Sequence, residues 1–199
     1  MTRGWLALVA ALTGGCAALS PQADRTQYFV LKPLAAPERQ PVGGFDRVLG
    51  LGPFTIPDHL ETQLVTRLAA NEIAISDTDR WAEPLRDGFS SALRQDLIAL
   101  LGTERVLIYP WDLSSPPDLA VRVEVLHFER TVKGTAELAV RWTLEQGTDR
   151  TPLLTEETRV SQPIRGTGTR AAVAALSSAI VVLSRNIAAA VRAAPPGSR

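Results

Sequence analysis

The sequence predicts an α+β fold: one domain in which a mostly antiparallel sheet carries two long helices packed on one face. Two apolar stripes and a set of alternating runs carry that prediction. Leu85, Phe89, Leu93, Leu97 and Leu100 recur every three or four residues within 81–101. Val173, Leu176, Ile180, Leu183, Ile187 and Val191 do the same within 169–192. Such spacing lines one side of an amphipathic helix. Between them, Val121, Val123 and Val125 alternate with Arg122 and Glu124, and Leu138, Val140, Trp142 and Leu144 alternate with Glu137, Arg141 and Thr143. Strict alternation gives a strand one packed and one wetted face.

The elements follow in order. Residues 1–15 have one charge, Arg3, then a short apolar run and the small residues Thr13, Gly14 and Gly15. That run is too short to span a bilayer, which takes about 20 apolar residues. The pattern is that of a secretory signal cut before Cys16. Cys16 is the one cysteine of the chain, so it cannot close an internal disulfide. In an oxidising compartment a lone thiol needs a cap. Acylation of Cys16 supplies the cap and an anchor, and the arrangement resembles a bacterial lipoprotein box with Thr13 where Leu is usual. Residues 17–26 are small and polar and read as a tether, roughly 17 Å long as a coil.

Residues 27–31 read as a first strand and 47–54 as a second, separated by a Pro- and Gly-rich loop. Pro57 excludes a long helix or strand interior at 55–62. Residues 63–68 and 73–75 flank a hairpin turn. The first helix follows over 81–101, with Glu83-Pro84 in its first turn and Gly102 as its stop. Residues 105–111 form a strand ended by Pro110. Strands at 119–130, 136–145 and 153–161 make an antiparallel meander with turns at Lys133-Gly134 and Gly147–Asp149. The second helix covers 169–192, capped by Thr167 or Thr169 and ended by Pro195-Pro196. The domain therefore spans 27–193, and 194–199 is a disordered tail.

Composition excludes some functions. The chain has 199 residues, 45% of them hydrophobic, enough for a sizeable core. Removing residues 1–15 takes away Arg3 and no acid, leaving 20 basic against 21 acidic residues. No nucleic-acid footprint exists in that balance. His59 and His127 are the two histidines and lack zinc-site spacing, so no metal or other cofactor is expected. Ser90 and Ser91, in Gly88–Ala92, lie inside a helix rather than at a nucleophile elbow. Residues 165–176 mimic a phosphate loop without its Lys. Glu156 and Glu157 are adjacent on a strand and point to opposite faces. No catalytic residues are assigned, and a non-enzymatic role is expected.

Three aromatics stand out as candidate partner-binding residues: Trp81 at the first helix entry, and Tyr109 and Trp111 at the end of the following strand. Trp, Tyr and Arg dominate binding hot spots, whereas packing is the alternative role for each ring. Trp81 is expected mainly in the core and Trp111 mainly at the surface.

The residues from 52 to 111 are similar to a known family. Gly52-Pro53, Ile56-Pro57, Leu60, Val65-Thr66-Arg67, Asn71, Trp81–Leu85 and Tyr109-Pro110-Trp111 resemble the ABC-type transport auxiliary lipoproteins, the PqiC/YmbA-like group. The resemblance implies a lipoprotein anchored in the outer membrane by palmitate-type acyl chains on Cys16 and facing the periplasm. It implies an MCE-domain transport protein as partner, in lipid traffic between the two membranes, with ATP hydrolysis left to other subunits. In the same setting Ala17, rather than Asp, implies export to the outer membrane. Two other readings stay open: a protein that itself holds acyl chains between sheet and helices, and an envelope hydrolase. The sequence also leaves homo-oligomerisation open.

Overall fold

The computed structural model describes residues 24–34, 45–112, 114–146 and 149–196. The signal segment 1–15, Cys16, most of the tether and the last three residues of the tail lie outside them.

Among the described residues, eight strands and two helices build the domain. In chain order they are β1 (Gln27–Phe29), β2 (Leu49–Thr55), β3 (Gln63–Ala69), β4 (Glu72–Trp81), α1 (Leu85–Leu101), β5 (Val106–Ile108), β6 (Leu119–Thr131), β7 (Thr135–Gln146), β8 (Thr151–Pro163) and α2 (Gly168–Ala193). A short 3-10 turn at Asp58–Leu60 joins β2 to β3. The fold is α+β in one domain, with a mixed sheet.

The long strand β6 organises that sheet. One of its edges pairs antiparallel with β7 along nearly its whole length, and β7 pairs antiparallel with β8. This is the expected meander, and it holds the longest ladders. The other edge of β6 is shared. Its first half pairs parallel with β2, and Arg130 and Thr131 pair parallel with β3. Thirteen residues leave room for two shorter strands end to end. β4 then pairs with β3, β1 with β4, and β5 with the outer side of β2. β1 and β5 thus end the sheet path β1-β4-β3-β6-β2-β5.

Several boundaries differ from the sequence reading. β4 runs on from Ile75 to Trp81, because Asp79 and Arg80 at the end of its polar stretch find ladder partners on β1, and Arg80 also on β3, across an irregularity in the register. The helix consequently begins at Leu85. Trp81 still pairs with Phe29, and Pro84 sits at the N-cap instead of inside the first turn. β5 ends at Ile108, three residues before Trp111. Pro110 has no N–H to continue a ladder, although the Tyr109 N–H still donates to the Leu51 carbonyl at 2.8 Å.

Both helices lie on the same face of the sheet, against each other. α1 ends as expected at Gly102, whose φ of +67° is the left-handed cap that glycine adopts without strain. The six stripe residues of α2 are all buried. α2 is long and apolar enough to cross a bilayer by length and composition, yet that stripe packs on α1, β7 and β8. Between helices and sheet the core is filled by Phe89, Phe128, Trp142 and the leucines around them. The Trp142 indole N–H donates to the Thr158 hydroxyl at 3.0 Å, satisfying its one polar atom.

The helix-free face is wetted and charged, as the alternation required. Arg141 reaches Glu124 and Glu157 there, at 3.2 and 3.3 Å. Arg67 meets the buried Glu129 at 2.6 Å.

Candidate functional site

Among the described residues β5 is the last strand on its side of the sheet, so one of its edges is open. It leads into a strip of exposed apolar surface: Leu107 is 39% exposed, Ile108 36% and Tyr109 48%. Leu107 and Ile108 point to opposite faces of the strand, and several exposed side chains of this size at one edge mark an interaction surface more often than a single one does.

The strip is held rigid from beneath. The Tyr109 and Trp111 rings meet edge to face with centroids 5.3 Å apart. Trp111 is half-buried and lies over the backbone of Gly50 on β2. A Cβ at Gly50 would sit 2.8 Å from the Trp111 ring and 2.7 Å from Pro117, so only glycine admits the ring. On β2, Gly52 adopts φ of +111°, and a Cβ there would approach Tyr109 to 2.9 Å.

Arg150 completes the clamp. Its guanidinium stands 5.5 Å from the Trp111 ring centroid, within cation–π range. Its Nε donates to Glu145 at 2.6 Å, and its other nitrogen reaches the Gly52 carbonyl at 3.4 Å. Glu145 is buried and also accepts from Arg122 at 2.5 Å. Arg150 holds φ of +53°, a conformation non-glycine residues adopt only where surroundings enforce it. Here three partners do. Next to the ring, Asp112 accepts the Ser114 N–H at 2.8 Å, and that bond holds its carboxyl below the usual carboxylate range.

The three aromatics singled out from sequence thus occupy two places. Tyr109 and Trp111 come together at the β5 edge. Trp81 does not join them: it ends β4, with β3, β6 and β2 intervening, and is 7% exposed. Its ring packs on Phe128 at 5.9 Å, and Phe128 on Phe89 at 5.6 Å. Cys16 lies outside the described residues. Ser90 turns its hydroxyl back to the Asp87 carbonyl of its own helix. His127 lies beside Glu129 and Arg67 on the open face, and among the described residues no cluster of His, Cys, Asp or Glu could hold a metal ion.

Sequence reasoning missed a second surface feature. Residues 27–34 run beside α2 and leave a half-open groove of about 860 Å³. Buried polar contacts place this segment. The Lys32 N–H donates to the Ser177 hydroxyl at 3.1 Å. The Leu34 N–H donates to Asp96 at 2.6 Å, and the Ser184 hydroxyl donates to the same carboxylate at 2.8 Å. The one sequence signal was the spacing of Arg170, Ala174, Val181 and Arg185 along a single line of α2. It has no meaning until the wall opposite is known.

The family model for the ABC-type transport auxiliary lipoprotein component matches residues 29–188. Among curated proteins none matches the chain. A crystal structure described as that of an uncharacterized protein is similar, with a TM-score of 0.68 at 18% identity, over 83% of this chain and 98% of that one. A Xanthomonas campestris protein of family DUF330 is similar with a TM-score of 0.63 at 15% identity, over 81% of this chain and 92% of that one. At those identities the two structures bear on the fold alone.

Proposed function

The chain belongs to the ABC-type transport auxiliary lipoprotein components, and from that premise we propose that it is the lipid-anchored dock of an MCE-type transport system. Acyl chains on Cys16 hold it at the outer membrane, facing the periplasm. The β5 edge meets an MCE-domain protein that carries lipid between the two membranes. Its part is mechanical, and ATP hydrolysis belongs to other subunits.

The observation that carries this reading is the clamped strip at β5. Tyr, Trp and Arg are the residue types that dominate binding hot spots, and Tyr109, Trp111 and Arg150 sit there together on a glycine-lined support. Rings fixed before binding lose little entropy on association, which favours affinity. The filled space between sheet and helices supports docking over storage of an acyl chain at that position.

Residue 17 sets the first test. With Ala17 after the acylated cysteine, the protein should band with outer-membrane markers when the envelope is separated on a density gradient. Recovery of the wild-type protein mainly with inner-membrane markers would contradict the location proposed here.

A further inference from the structure

The groove beside α2 goes beyond that reading and stands without it. We propose that it binds an extended acidic peptide segment of a partner protein, which adds as a strand to the free edge of β1.

Three observations converge. The first is an open strand edge. Among the described residues β1 ends the sheet path, with β4 as its one strand neighbour. The Phe29 carbonyl accepts the Ala82 N–H at 2.9 Å, so Phe29 turns its backbone groups to β4. Backbone direction alternates along a strand, so the N–H and C=O groups of Tyr28 point away from β4, and the Val30 N–H, opposed to the Phe29 carbonyl across their planar trans peptide, does too. An unpaired edge is a template for a further strand. Tyr28 and Val30 also expose their side chains, at 67% and 55%.

The second is the opposite wall. β1 and the residues after it follow α2 from its first turn onward. Thr169 donates to Asp79, the ladder partner of Gln27, at 2.6 Å, and Ser184 fixes Asp96 beneath Leu34. The edge stays open only as far as Lys32, whose N–H is already bonded to Ser177 on the helix. From Thr169 to Ser177 the helix rises about 12 Å, and a strand of about four residues covers that length at about 3.3 Å each. Val173, Ala174, Val181 and Val182 give this wall an apolar surface. A groove between an edge strand and a helix is the geometry in which strand addition gives affinity through the main chain and specificity through side-chain pockets.

The third is charge. Lys32, Arg170 and Arg185 line the groove, and no Asp or Glu does so among the described residues. The side chains of Lys32 and Arg170 have no hydrogen-bond or ion-pair partner among the described residues. Carboxylates on the incoming strand complement them. An acyl chain would fill the apolar wall but offer no hydrogen bond to the Tyr28 backbone groups or the Val30 N–H, so the strand edge favours a peptide.

The test uses the whole mature chain carrying Cys16→Ser. The probe is a fluorescein-labelled decapeptide of alternating valine and glutamate, followed by anisotropy. It should bind. A valine–lysine decapeptide, and a valine–glutamate decapeptide methylated on alternate backbone nitrogens, should each bind about tenfold more weakly or worse. Arg170→Glu should weaken binding of the valine–glutamate probe and narrow its advantage over the valine–lysine one. Val30→Pro removes one outward N–H and should weaken binding at an unchanged melting temperature. No binding of the valine–glutamate probe would overturn the proposal, as would equal binding of the methylated probe. Uptake of phosphatidylglycerol from vesicles without peptide binding would give the groove to an acyl chain and overturn it too.

Discussion

Trp81→Ala should destabilise the domain by about 3–5 kcal/mol, the cost of emptying a buried Trp site. For a chain of this size that lowers the melting temperature by roughly 6–20 °C. The cost is large because the ring ends an aromatic row. Trp81 packs on Phe128, Phe128 on Phe89, and Phe89 on Phe54 at 6.4 Å. These rings come from β4, β6, α1 and β2, so a cavity at one end loosens the joint of helix and sheet. Trp81→Phe keeps most of the apolar contact and should recover most of the loss. Calorimetry on both variants checks this. A Trp81→Ala protein that melts within a degree or two of wild type would show that the ring contributes little to the core.

Cys16→Ser should release the protein almost completely from the membrane. A single fatty chain binds a bilayer only marginally, at about 0.8 kcal/mol per buried methylene, and stable anchoring takes more than one. The thiol and the amine freed by signal cleavage together provide for several chains, and serine removes the thioether on which processing depends. Cell fractionation after a high-salt wash, with mass analysis of the N-terminus, reads the result. A serine variant that is still acylated, or that stays in the pellet, would rule out Cys16 as the anchor point.

How much of this was legible in the sequence depends on whether a signal was local. The stripe of α2 is read directly from spacing, and all six of its residues are buried. The alternation of Arg122 and Glu124 with valines correctly marked a wetted face. The ion pairs on that face were hidden, because Arg122, Glu145 and Arg150 meet only after β6, β7 and the turn beyond them are in register. β4 was cut short because Ser76, Asp77 and Asp79 have turn composition, and the partners that β1 and β3 give to Asp79, Arg80 and Trp81 resume the strand beyond them. The parallel pairing of β2 with β6 joins residues some seventy positions apart and leaves no local pattern.

The docking strip was half legible. Tyr109-Pro110-Trp111 announced itself by residue type. The support did not, since nothing near Trp111 in sequence points to Gly50, and Arg150 enters from the far end of β7. The groove was not legible at all. Lys32 and Arg170 lie far apart in the chain, and their proximity depends on Ser177, Asp96 and Ser184 holding the N-terminal segment against α2.

If the β5 edge meets the transport partner, Tyr109→Ala should break that contact and leave the fold standing. Tyr109 is about half exposed and outside the core, so its loss should shift the melting temperature by no more than a few degrees. Loss of a hot-spot ring costs at least about 2 kcal/mol of binding, or roughly thirtyfold in affinity. Quantitative co-purification from detergent-solubilised envelope should therefore recover the MCE-domain protein with wild type and lose nearly all of it with Tyr109→Ala. An equally stable Tyr109→Ala protein that still brings down the MCE-domain protein at the wild-type level would contradict the account.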